Sequence, residues 1–220
     1  MARQKKQTSD EALGRTHITG YGGWPPPPNV HNHLQVFADF INKHLVNGTM
    51  LDLGCGDGAI SRIVATQNPK KKITGVDLEP HPHWKIKPPK NLTFNTASIY
   101  KLPYEDNSFD AVILKDVLHH LPDPEEALQK IAKLAKKQVL IIEANRYNPV
   151  SYIRMVKIAG HEHFSQRKLK KVINRPVKIH TLENHVWPDK LKLPGRLVDS
   201  TFSLPPLSKL RNYNLALFEP

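Results

Sequence analysis

From residue 49 onward the chain alternates between short apolar runs and stretches with helical spacing. TMLDLG (49–54), ITGVDL (73–78), LTFNTAS (92–98), FDAVIL (109–114) and QVLIIEA (138–144) read as strands. DGAISRIVATQ (57–67) and PEEALQKIAKLAKK (124–137) read as helices between them. Continuous rather than alternating apolar runs belong to strands covered on both faces. Strand–helix alternation then implies a mainly parallel sheet with helices on both sides. In such sheets ligands sit beyond the carboxyl ends of the strands, where the strand order reverses. The first strand ends in LDLGCGDG, with glycines at 54, 56 and 58. That loop therefore falls at the ligand edge.

The loop fits two ligands. With Ala59 it satisfies G-x-G-x-x-G/A, the pattern that holds a dinucleotide pyrophosphate at a helix N-terminus. Yet Asp52 and Asp57 flank the glycines. Carboxylates there repel pyrophosphate and suit a cationic ligand that carries hydroxyls and an amino group. Asp77 ends the second strand, where a carboxylate accepts hydrogen bonds from ribose hydroxyls in either case.

The longer pattern separates the two. LDLGCGDG, GVDLEP and ASIYKLPYEDNSFDAVILKDVLHHLPDPEEAL follow one another over residues 49–145. In order and spacing they resemble a class I S-adenosylmethionine-dependent methyltransferase of the small-molecule, methyltransferase type 11-like kind. The resemblance implies a Rossmann-like, doubly wound α/β fold with seven strands, the last antiparallel, helices on both faces and a helical lid. NLALFEP (214–220) is the candidate last strand, and VKIHTLENHV (177–186) another. The implied cofactor is S-adenosyl-L-methionine. Asp52, Gly54, Cys55 and Gly56 would line its methionine half, with Asp57 in the same loop. Asp77 would bind the ribose and Leu78 would face the adenine. Ser98 and Ile99 stand where the family usually has an acid and a small residue. Leu114 and Lys115 would flank the methionine part, with Val117 and His120 close by. Two departures are expected to alter only the edges of the sheet: a proline-rich segment, 80–90, in place of a helix, and no glycine pair before the fifth strand.

Methyl transfer from a sulfonium is an in-line displacement, for which alignment can supply up to about 7–11 kcal/mol. A general base helps only an acceptor that must lose a proton. His119, His120 and Glu143 are the candidates, each with a plain packing role as the alternative. The chain lacks the Pro-Pro-aromatic run of base-amino methyltransferases. Its single cysteine, Cys55, lies in the cofactor loop, so thiolate attack on a pyrimidine is disfavoured.

The flanks are expected to make the acceptor pocket. Residues 1–28 read as a mobile segment and part of the lid. Residues 29–220 read as one domain: the 49–145 core, a 146–210 lid or basic insertion, and the 211–220 strand. Asn29 is expected to cap a helix bearing Leu34, Phe37, Ile41 and Leu45, and 149–174 reads as one basic helical region. Tyr21, Trp24, His31, Arg146, Tyr147, Tyr152 and His163 are candidate pocket walls. His31/His33 and His161/His163 are H-x-H pairs, but each makes half a zinc site with no cysteine nearby, so no metal is expected.

Of the +12 net charge, residues 145–220 supply +9, from 14 basic and 5 acidic side chains. Such a surface can steer polyanions. The dense block RKLKK (167–171) has only Phe164 beside it, so nucleic acid is weakly signalled. No 18-residue apolar run and no signal-like leader occur, which reads as soluble and cytoplasmic. The leading expectation is methyl transfer to a small or medium-sized acceptor. The alternatives are a methyltransferase docking on RNA or another polyanion, a non-catalytic cofactor-binding partner subunit, and, least favoured, a dinucleotide oxidoreductase. The sequence sets no oligomeric state.

Overall fold

A computed structural model describes residues 24–158, 160, 163–186 and 192–220. Its frame is a seven-stranded sheet in the order β3-β2-β1-β4-β5-β7-β6. The strands are β1 (Gly48–Leu53), β2 (Lys71–Asp77), β3 (Leu92–Thr96), β4 (Phe109–Lys115), β5 (Ala135–Ala144), β6 (Lys178–Leu182) and β7 (Tyr213–Phe218). β1 to β5 are parallel; β7 runs antiparallel to both β5 and β6. The chain winds outward from β1 to β3, then returns to the other side of β1 with β4. The switch point therefore lies between the ends of β1 and β4.

The central strands β1, β4 and β5 alternate their side chains between two cores, which is why their inner positions are apolar. Met50, Ile73, Ala111, Ile113, Leu140 and Ile142 enter one core with helices α1 (Pro28–His44) and α2 (Ala59–Gln67). Leu51, Leu53, Val112, Leu114, Val139 and Ile141 enter the other, with α3 (Pro124–Leu134) and α5 (Gln166–Ile173). Fully burying one such aliphatic side chain contributes about 1.5–3 kcal/mol.

The first helix buries Val30, Leu34, Phe37, Ala38 and Ile41, the stripe its spacing predicts. Its start differs. Pro28 occupies the first turn, Pro27 is extended, and no side chain caps the end, so Asn29 is inside the helix and is not its cap. Proline fits here because its missing N–H is one that a helix start leaves unpaired. At the other end Lys71 is buried, and its Nζ donates to the carbonyls of Leu45 and Val46, each at 2.7 Å. This fastens α1 to β2.

The basic region is not one helix. The short helix α4 (Pro149–Ser151) runs into a π-helical stretch, Tyr152–Ile158, and α5 follows separately. A further helix, α6 (Lys192–Ser203), was not foreseen, because KLPGRLVDSTFS carries a proline and a glycine near its start. Residues 1–23, including Tyr21, and the pair His161–Glu162 lie outside the described residues. Among the described residues no helix is long and apolar enough to cross a membrane.

Candidate active site

The glycine loop is held from below. The N–H groups of Gly54 and Cys55 both donate to the Val76 carbonyl, at 2.8 and 3.1 Å. Gly54 has φ +71, and a Cβ on it would lie 2.3 Å from the Val117 side chain. Gly56 has φ +55 and opens onto free space, with nothing within 4 Å of an added Cβ. One glycine thus lets β1 meet the segment after β4, and the other leaves the cradle open for a ligand.

Asp77 organises the loop. Its two carboxylate oxygens accept from the N–H groups of Gly56 and Leu78, each at 2.7 Å. Asp52 is buried beneath and accepts from the Ser61 hydroxyl. Burial, aided by the charge of Asp77, pushes its pKa up to about 6. Asp57 accepts from the Ala59 N–H at 2.9 Å, closing the start of α2. Burial, with the three neighbouring carboxylates, pushes the Cys55 thiol well up, so it is held as a thiol and is a poor nucleophile.

A cleft opens beside this loop. Its walls are Gly54, Asp77, Leu78, Ala97, Ser98, Ile99, Tyr100, Val117, His120 and Leu121. The structure thus brings together Gly54, Asp77, Leu78, Ser98, Ile99, Val117 and His120 from the expected cofactor set. Asp52, Cys55, Gly56 and Asp57 lie in or beneath the loop and do not form the cleft wall. Leu114 is fully buried in a core. Lys115 turns the other way: its Nζ pairs with Asp116 and lies 5.0 and 5.5 Å from the ring centres of Phe37 and Tyr213. Ala97, Tyr100 and Leu121 are additions, each adjacent in sequence to a residue already singled out.

The proline-rich segment is not confined to the sheet edge. It forms a 3-10 turn, Pro82–Lys85, that folds back on the cradle. The indole N–H of Trp84 donates to the Gly56 carbonyl at 3.0 Å, and its ring stacks on Phe94. The buried Arg62 donates to the carbonyls of His83 at 2.8 Å and Ile86 at 2.6 Å. Trp24 packs under the Arg62 guanidinium, 5.3 Å from its ring centre. The tryptophan expected in the acceptor wall therefore braces the glycine-loop side instead.

Past β4 and β5 a second group of polar side chains gathers. The wholly buried Glu143 accepts from the Leu118 N–H at 2.6 Å, and its other oxygen lies 2.7 Å from His119 Nδ1. Burial raises the pKa of Glu143. Burial opposes charge on His119 as well, but the bond to Glu143 together with the charges of Glu143 and Asp116 outweighs it and raises its pKa. The two hold a proton between them. The buried His163, just before α5, brings its ring to 4.8 Å from that of His119, and the His120 ring lies 4.0 Å away on the same pair's cleft side.

Other expected pocket residues scatter. Arg146 lies over Tyr152, Tyr147 is exposed, and His31 lies half-buried on α1. Sequence reasoning missed Asp116 and His33. Asp116 has φ +55, rare for a non-glycine residue and frequent at functional sites. Its burial favours the neutral acid, but the Lys115 ammonium outweighs this and lowers its pKa. His33 is buried and has its pKa lowered to about 4, chiefly by burial and then by Lys115, so it is neutral at pH 7. Asp116 stands inside the quoted LKDVLHH, but nothing in a sequence marks its left-handed backbone. His33 reaches the site only through the packing of α1.

A seven-stranded sheet of this order, with antiparallel β7, a glycine loop after β1 and an acid ending β2, is the arrangement of class I S-adenosylmethionine-dependent methyltransferases. Residues 51–142 match the family model of a methyltransferase domain. An uncharacterized methyltransferase of Schizosaccharomyces pombe is 34% identical over 139 residues, covering 58% of this chain and 46% of that protein. The ubiquinone biosynthesis O-methyltransferase of Dechloromonas aromatica is 30% identical over 134 residues, 56% of each chain. The chain thus spans about half the length of the curated relatives it matches. Among solved structures, Haemonchus contortus phosphoethanolamine N-methyltransferase 2 in complex with S-adenosyl-L-methionine shares the fold. Its TM-score is 0.59 at 15% identity, over 93% of this chain and 54% of that one. Over residues 51–142 the chain is thus similar to the methyltransferase domain family.

Proposed function

We propose that the protein transfers a methyl group from S-adenosylmethionine to a small or medium-sized acceptor by in-line displacement. One observation carries this reading: the cleft at the switch point has Asp77 on its wall at one side and His120, backed by the His119–Glu143 pair, at the other. The donor set suits the cofactor. The open space over Gly56 admits a ligand against the backbone. Asp77 retains lone pairs for ribose hydroxyls, Leu78 and Ile99 offer apolar faces to an adenine, and the Ser98 hydroxyl can bond its amino group. The bound cofactor supplies an electrophilic methyl on a sulfonium. The chain's part is to orient the two reactants, exclude water and set the His119–Glu143 pair behind His120 on the acceptor side. A thiol kept protonated at Cys55 and a lack of other cysteines fit a reducing, cytoplasmic setting.

Calorimetric titration with S-adenosylhomocysteine tests the cofactor, and a methyl-transfer screen over small-molecule and RNA pools tests the acceptor. Binding of one equivalent, with transfer to a small molecule, is expected. Transfer confined to RNA and suppressed by salt would move the acceptor to the polyanion class. Tight binding of a nicotinamide dinucleotide with no S-adenosylhomocysteine binding would overturn the reading.

A further inference from the structure

Three side chains far apart in sequence converge on one buried point. His119 comes from the 3-10 turn after β4, Glu143 from the end of β5, and His163 from the segment before α5. One ligand atom from each lies within 4.8 Å of the others. We propose that His119, Glu143 and His163 bind one divalent cation of the zinc type, at the acceptor side of the cofactor cleft. Its role toward an acceptor rests on the methyltransferase reading; its existence does not.

The donor set is two imidazoles and one carboxylate. That set suits borderline cations and leaves a coordination position open, as in catalytic zinc sites. In a tetrahedral site with bonds near 2.0–2.1 Å, ligand atoms stand roughly 3.3 Å apart. His119 Nδ1 and Glu143 Oε2 are 2.7 Å apart, because they hold a proton where the metal would sit. Zinc replaces that proton, the pair parts by roughly 0.6 Å, and His163 closes in.

The ligands are also held in place by their neighbours. The second oxygen of Glu143 accepts from the Leu118 N–H, and Glu143 pairs with Asn214 across β5 and β7. The segment carrying His163 is tied down at Phe164, whose carbonyl accepts from the Arg146 N–H at 3.2 Å and the Asn214 amide at 3.3 Å. Such outer contacts orient ligands and preserve affinity. The spacing of histidines in sequence could not show this site, since the partners of His163 lie on β5 and after β4, not at the neighbouring histidine.

His119 is one imidazole away from the cleft, behind His120. A cation there would draw an acceptor hydroxyl or phenol toward the methyl donor and lower its pKa, as zinc does for water. The acceptor class so selected is oxygen-bearing.

The full chain, stripped with a chelator, is titrated with Zn²⁺ against a chromophoric competitor, and with Co²⁺ read by visible d–d absorption. One equivalent is expected, with release of a proton. His163→Ala and Glu143→Gln should each weaken binding at least about 100-fold. His185→Ala, in the other cluster able to hold a cation (Glu183, His185, Asp199), should leave it unchanged. No stoichiometric uptake by the wild-type chain, wild-type uptake by His163→Ala, or loss confined to His185→Ala would overturn the proposal. S-adenosylhomocysteine titration of the same proteins separates the two readings. Cofactor binding without metal uptake sinks the metal site alone, and metal uptake without cofactor binding sinks the methyltransferase reading alone. Cofactor binding by His163→Ala also shows that the variant is folded.

Discussion

The proposed cofactor side and the proposed acceptor side of the cleft are built on different principles. On the proposed cofactor side the wall residues end a parallel strand or lie in the loop after it: Gly54 after β1, Asp77 and Leu78 at β2, Ala97 to Tyr100 after β3, and Val117, His120 and Leu121 after β4. Sheet topology alone gathers them at one edge. On the acceptor side the meetings are between distant segments. His163 joins Glu143, the Asn184 amide donates to the His33 carbonyl at 2.9 Å, and Asn212 N–H donates to Glu183 at 2.8 Å. Nothing repeats there, and each contact depends on how a lid segment folds down. The proposed donor site is therefore a property of the frame, whereas the proposed acceptor site belongs to this chain's own loops.

This contrast makes unequal predictions for substitution. The largest effect belongs to Gly54→Ala. A left-handed backbone costs about 1–2 kcal/mol with a Cβ, and overlap with Val117 adds about 1–3. Chemical denaturation should show a loss of about 3 kcal/mol, with S-adenosylhomocysteine binding lost; an unchanged midpoint contradicts the loop assignment. Arg62→Ala comes next. It removes the guanidinium bonds to the His83 and Ile86 carbonyls, of which His83 keeps the Ile86 N–H, and frees the turn over Gly56, for about 2–3 kcal/mol of stability. If cofactor affinity does not fall with it, the turn does not brace the cradle.

Asp52→Asn has a pH signature. A folded pKa near 6 against an ordinary 3.8 means that the native state favours protonated Asp52. Its contribution is intact below about pH 4 and is lost as pH rises through 6. The asparagine variant should equal the wild type at pH 4 and exceed it by up to about 3 kcal/mol above pH 7. Equal stability at both pH values removes the buried acid from the account. The smallest effect is expected on the lid side. Lys170→Gln with Lys171→Gln should leave S-adenosylhomocysteine affinity within about twofold, since exposed charges act weakly. A tenfold change would tie the two sides together.

The same contrast explains what was legible. Continuous apolar strands disclosed the parallel sheet, and strand ends disclosed the cleft, so Gly54, Asp77, Leu78 and His120 were readable. Trp24 was misplaced because a lone aromatic outside a periodic run carries no address; its position is fixed by Arg62, itself an unremarkable arginine on α2. Segment 80–90 read as an edge because prolines exclude a helix, but they do not exclude a turn that folds back through Trp84. Asp116 stood inside a quoted motif, but its left-handed backbone leaves no trace in residue type. Lys115 was expected toward the cofactor; its pairing with Asp116 and the rings of Phe37 and Tyr213 turns it toward α1 and β7.

The central claim is that Asp77 holds the donor at the end of β2. Calorimetric titration of S-adenosylhomocysteine into the wild-type chain and Asp77→Ala tests it most directly. Losing charge-assisted bonds worth about 1.5–3 kcal/mol each should weaken binding at least about tenfold, and more if the Gly56 N–H loses its anchor as well. Equal affinity in the two proteins would contradict the assignment.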